Sequence, residues 1–170
     1  MNKSSNAFSL GRFVLSFSIF CYISGYVLLS LKLLYVVSIG DYSFLPALKE
    51  TLNNNDVEKI KLALFTILGA ILGGATLGIV SLHKYSAVTK SLDIDHVWGY
   101  LMAPILSIII GVLIFCFLQS GLFVLTGDNA VSTENFNVRI GYISLGAICS
   151  YNWDVFIIKL QRLSSRITDA

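Results

Sequence analysis

Charged side chains are scarce in this chain: Asp, Glu, Lys and Arg make up 13% of its 170 residues, where a soluble domain carries about 25%. So few charges cannot coat a water-soluble globule. Histidine is scarcer still, with two in the sequence. No HExxH, GxSxG turn, phosphate-cradling glycine loop or carboxylate pair within an apolar run appears. The chain is therefore not expected to be an enzyme, and nothing in it calls for a cofactor. Its net charge, +2, is too small to make nucleic acid a direct partner. A long polar segment is missing as well. The longest polar connection, Asp41 to Lys59, is too short and too poor in apolar residues to bury a core of its own, so residues 1–170 read as a single domain. Cys21, Cys116 and Cys149 all fall inside apolar runs, where a thiol acts as a small packing group.

What the chain has in abundance is long apolar runs, at about 13–38, 60–82, 98–126 and 140–158. A hydrocarbon core roughly 30 Å thick needs about 20 apolar residues in helix. Phe13–Ser30 and Leu62–Leu82 meet that length without a charge, and Val97–Thr126 exceeds it enough to require tilt. The fourth run is interrupted by Asn152, Trp153 and Asp154 before Val155–Ile158 restores the apolar character. The expected fold is all-α: a polytopic membrane bundle of four transmembrane helices ending in an amphipathic cytoplasmic helix. The basic amphipathic tail covers 153–170. Lys3 and Arg12 precede the first run as in a signal peptide, but the run is too long for one and is read as an uncleaved span. Bulky Ile19 and Phe20 before Cys21 speak against a lipoprotein site.

Lysine and arginine set the orientation, because cytoplasmic flanks carry their excess. With the amino terminus inside, that side holds Lys3, Arg12, Lys84, Lys90, Lys159, Arg162 and Arg166, and the opposite side Lys49, Lys59, Lys61 and Arg139. Both termini are then cytoplasmic, in a bacterial inner membrane. Asp56 closes a polar run, Asn53–Asp56, that can cap the second helix, and Asp95 does the same for the third. His83, Asp93, Asp95 and His96 cluster in sequence, but their spacing fits no zinc or calcium pattern.

The sharpest motif lies in the second run. Gly69, Gly73, Gly74 and Gly78 form two overlapping small-xxx-small registers beside Ala70 and Ala75, a pattern that lets backbones approach closely where apolar burial gives little drive. It marks a helix-packing seam, within the chain or between copies. In the third run Trp98 and Tyr100 suit a headgroup belt, and Pro104 in the first turns costs little. Gln119 and Ser120 read as intramembrane polar groups in need of a partner across a helix contact or a wet cavity. Asn152 and Asp154 read the same way, with Lys32 a possible counter-ion for Asp154 and snorkelling the alternative for that lysine. In the tail, Trp153, Phe156, Ile157, Leu160, Leu163 and Ile167 recur at helical spacing against Lys159, Arg162, Ser165 and Arg166, as in a helix lying on a membrane face. Lys84, Lys90, Lys159, Arg162 and Arg166 form the expected cytoplasmic surface for anionic lipid or an acidic partner.

Two classes of function accommodate these features. One is a membrane sensor or scaffold that holds a soluble cytoplasmic protein. The other is a homo-oligomeric ion channel or holin-like pore. A pore needs a continuous polar stripe, and Gln119, Ser120 and Thr126 are too few to make one, which favours the sensor. No inverted repeat of the transporter kind is present.

The order Trp98, Pro104, Gly111, Gln119, Gly121, then Gly141, Gly146, Phe156 and Leu160, resembles small four-span bacterial membrane proteins found beside anti-phage defence genes. The nearest named family is the membrane subunit of the Kiwa system. The similarity covers about the second half of the chain and departs where Asn152 and Asp154 break a run that is usually more apolar. The resemblance implies a bilayer-embedded homo-oligomer, a tetramer, that senses disturbance of the inner membrane during phage infection and recruits or releases a cytoplasmic effector protein.

Overall fold

A computed structural model describes residues 3–40, 54–89, 92–93, 95–121 and 136–168. The chain is helical, with no strand among the described residues. In order, α1 is Lys3–Ile39, α2 Asn54–His83 followed by a π-helical turn Lys84–Val88, α3 Asp95–Gln119, α4 Phe136–Tyr151 and α5 Trp153–Thr168. Three segments are long and apolar enough to cross a membrane: Phe13–Ile39, Asp56–Val88 and Asp95–Gln119. The α4–α5 pair passes that test only as a unit broken by a 90° bend. The bundle thus has three candidate spans, or four if the broken pair is one.

Acidic and glycine residues set the helix ends. Asp56 lies in the first turn of α2 and Asp95 in that of α3, where a carboxylate meets the positive end of the helix dipole. Gly40 and Gly121 adopt positive φ, at 83° and 75°. Their amides return to Val37 and Leu118 carbonyls at 3.2 and 3.3 Å, a glycine stop that satisfies terminal carbonyls. Hydroxyls inside the helices bond their own backbone: Ser30 donates to Tyr26 at 2.8 Å, Thr66 to Leu62 at 2.8 Å and Thr76 to Leu72 at 2.9 Å. A hydrocarbon environment demands that closure, since it offers no water to take the bond.

The centre of the bundle is α2, which packs against α1, α3 and α4. Phe65, Thr66, Ala70 and Ala75 are buried on it. One apolar cluster joins α1, α2 and α3 around Ile23, Ala75, Leu82 and Tyr100, and a second joins α1, α2 and α4 around Val37, Phe65 and Tyr142. A third holds α5 to the rest through Phe156, set against Ile110 and Ile114 of α3. The outward faces are as apolar as the core: Phe13, Leu28 and Tyr35 of α1 are each more than 65% exposed. A surface of that kind suits lipid and not water.

Three expectations are corrected here. The third run does not continue as helix to Thr126: α3 ends at Gln119 because Gly121 turns the chain into the left-handed region, and 122–126 lie outside the described residues. The fourth run is not one straight span over 140–158, because the chain turns 90° at Asn152. Pro104 is not in the first turns, since α3 begins at Asp95 and carries the proline inside it.

Candidate functional site

Glycine in α2 brings three neighbouring helices close, each at a different position. A Cβ on Gly69 would collide with the Ile143 carbonyl and stand 2.8 Å from the Ile143 Cα; on Gly73 it would meet the Ala147 carbonyl and stand 2.7 Å from the Ala147 Cα. The fit is reciprocal, because a Cβ on Gly146 of α4 would strike the Thr66 carbonyl and the Ala70 amide of α2. The α2–α4 seam is therefore backbone against backbone, the close approach small residues permit. Gly111 of α3 sits on Ile67, where an added Cβ would be 2.7 Å from the Cα. Gly74 faces the hydroxyls of Ser107 and Ser150, and Gly78 faces Ile23 of α1 at an ordinary 3.4 Å. Within this chain, then, Gly69 and Gly73 are already filled by α4.

Beside Gly74 a short polar chain links two helices. Ser150 of α4 donates to the Ser107 hydroxyl at 3.0 Å, and Ser107 donates to the Ala103 carbonyl at 2.9 Å. Both serines are buried. Ser150 went unremarked in the sequence because one hydroxyl in an apolar run gives no sign of what lies opposite it.

Of the polar groups expected inside the membrane, Gln119 and Ser120 sit at the end of α3, while Asn152 and Asp154 follow directly on Ser150, which pairs with Ser107 at the middle of α3. Gln119 and Ser120 are exposed on the last turn of α3, and Ser120 donates to the Phe117 carbonyl at 3.1 Å. Asn152 is the hinge: its amide and side chain both donate to the Ile148 carbonyl, at 3.1 and 3.3 Å, and its carbonyl accepts from Phe156 at 3.1 Å. It closes α4 and opens α5, a role for which asparagine is well suited. Asp154 is exposed in the first turn of α5. Lys32 is exposed on α1, and no ion pair joins the two.

On α5, Phe156 is buried, Ile157 and Leu160 are half-buried, and Lys159, Arg162 and Ser165 are exposed. The rings of Phe156 and Phe117 meet edge to face at 6.3 Å. Lys84 heads the π-helical turn and is exposed there. Lys90 lies outside the described residues, as do the side chains of Leu163, Arg166 and Ile167.

A cavity of about 450 Å³ lies between α2 and α3 below the end of α4. Gly74, Ser107 and Ser150 bound it at one end, and Tyr85, Asp95 and His96 at the other, with Trp153 on its wall. The ring of Tyr85, carried on the π-helical turn, packs 4.7 Å from that of His96; such turns recur at functional sites. This cavity was not foreseen, because it depends on where α4 stops.

The chain matches no protein-family model, no curated protein and no solved structure.

Proposed function

We propose that this chain is a non-enzymatic subunit of the bacterial inner membrane, self-assembled as a tetramer, that acts as a sensor or scaffold and recruits or releases a soluble cytoplasmic effector, in anti-phage defence. The observation that supports it is the right-angle turn at Asn152. That turn takes α5 off the axis of α4, Phe156 anchors it on α3, and Lys159 and Arg162 stay exposed. A straight fourth span would carry those cations on to the Asp95 end of α3, twelve residues beyond the Ser150–Ser107 contact, whereas the turned helix keeps them level with Ile110 and Ile114, exposed to an acidic protein or to anionic lipid reached by snorkelling. Lys84 stands at the α2 end that the antiparallel course brings to the same side as Arg12, and by the positive-inside rule that end faces the cytoplasm, while α5 packs farther along α3, on Ile110 and Ile114. The exposed faces of α1 and α3 carry Phe13, Leu28, Tyr35, Ile105 and Ile109, not the polar stripe of a water-filled pore, which ranks a channel or holin second.

The test is charge reversal. With Arg162→Glu and Arg166→Glu together, the tagged chain should still insert in the membrane and lose its co-purifying soluble partner. Undiminished association after reversal would remove the tail from this role.

A further inference from the structure

The cavity below α4 exists because the helices around it differ in length. At the level of Ser150, α4 is about to end, while α2 continues from Gly74 to the π-helical turn and α3 extends back from Ser107 to Asp95. Those twelve residues of α3 cover about 18 Å at 1.5 Å per residue, and over that length α4 does not come between α2 and α3. The walls are mostly apolar, with Leu77, Met102 and Leu106 among them. Polar groups stand at both ends: Ser107 and Ser150, already bonded, at one, and Asp95, His96 and Tyr100 at the other.

Two of those groups are unsatisfied. Tyr100 is 7% exposed, yet its hydroxyl has no hydrogen-bond partner among the described residues, and neither does the buried Nδ1 of His96. Both residues line the cavity. Nearby, Pro104 has no amide hydrogen to give the Tyr100 carbonyl, so the helix leaves an acceptor without its usual donor. Buried polar groups in native proteins find partners, and no described residue supplies one here. Among the described residues no lysine or arginine lines the cavity, and the one carboxylate that does, Asp95, stands beside His96. An anionic head would meet repulsion there and no compensating cation. At the roughly 30 Å³ share of a water-sized group, the volume takes about fifteen such groups, and it lies within the range of small-molecule sites.

We propose that this cavity binds an uncharged membrane-soluble amphiphile, with its hydrogen-bonding head held by His96 and Tyr100 and its hydrocarbon body lying along Leu77 and Leu106 toward Gly74. Such a site serves the bundle whether or not a cytoplasmic protein docks on α5. It also offers a way for a change in membrane composition to act on the contact between α2, α3 and α4.

The chain has two tryptophans, Trp98 and Trp153, and Trp153 is on the cavity wall. In full-length protein carrying Trp98→Phe, reconstituted in phosphatidylcholine vesicles, ω-bromoundecanol should quench Trp153 fluorescence to saturation, and ω-bromoundecanoate, ionised at pH 8, should do so far more weakly. Gly99→Leu fills the space without backbone conflict, since a Cβ at Gly99 meets nothing within 4 Å, and should weaken the alcohol's binding at least about tenfold; Tyr100→Phe should weaken it about three- to tenfold. Unchanged circular dichroism certifies that each variant is folded, and Ala103→Leu from the same wall replaces Gly99→Leu if that variant is not. Quenching that rises linearly without saturation and is equal in the filled variant overturns the site. Binding of the carboxylate as tight as that of the alcohol overturns the uncharged head.

Discussion

Ile143 and Ala147 of α4 lie where side chains on Gly69 and Gly73 would have to go. Overpacking of a tight contact costs about 1–3 kcal/mol, and more where backbone must move, so Gly73→Leu should lower the stability of the bundle by at least about 2 kcal/mol in detergent-driven unfolding. Gly25→Leu, placed where an added Cβ meets nothing within 4 Å, should be neutral or mildly stabilising because glycine is a poor helix former. Equal effects at the two sites would contradict the seam. The Ser150 to Ser107 bond makes a finer forecast: a double-mutant cycle of the two alanine changes should return a coupling of about 0.6 kcal/mol, the usual worth of an interhelical hydrogen bond in lipid, and a coupling of zero would dissolve the pair. The glycines were legible from their spacing. Which helix each one meets was not, because four positions on one helix point to three neighbours and a sequence does not say where those neighbours stand.

The elements divide into three that their own composition specifies and a fourth unit that it does not. An unbroken apolar run longer than the bilayer is thick has one low-energy conformation in lipid, so α1, α2 and α3 could be read directly from the sequence. Their ends were harder, because capping is local: Gly121 stops α3 within a run that hydropathy alone extends to Thr126. The α4–α5 unit was read as polar interruption where the structure has a corner, since Asn152 both closes one helix and caps the next. That corner can be measured. With Cys21, Cys116 and Cys149 replaced by alanine, spin labels at Ile140 and Gln161, both exposed, should stand about 22 Å apart along two legs at a right angle, against about 31 Å for a continuous helix at 1.5 Å per residue. The longer distance would show that α4 and α5 form a straight span.

At the scale of the whole molecule, the apolar outer surface and the short polar ends leave two places for function: the cavity between α2 and α3, and the cationic face of α5. The cationic surface that includes Lys159 and Arg162 was expected from the sequence as a site for anionic lipid or an acidic partner, though not the turn that carries it; the cavity was not, because it depends on α4 being shorter than its partners. The central claim, that the bundle assembles and holds a soluble partner through α5, is tested most directly by gentle extraction from native membranes and native mass spectrometry of the intact complex. The account predicts a multiple of the chain mass, four copies, with a soluble protein attached that is lost when Arg162 and Arg166 are reversed. A bare oligomer, or a single copy carrying lipid and no protein, would contradict it.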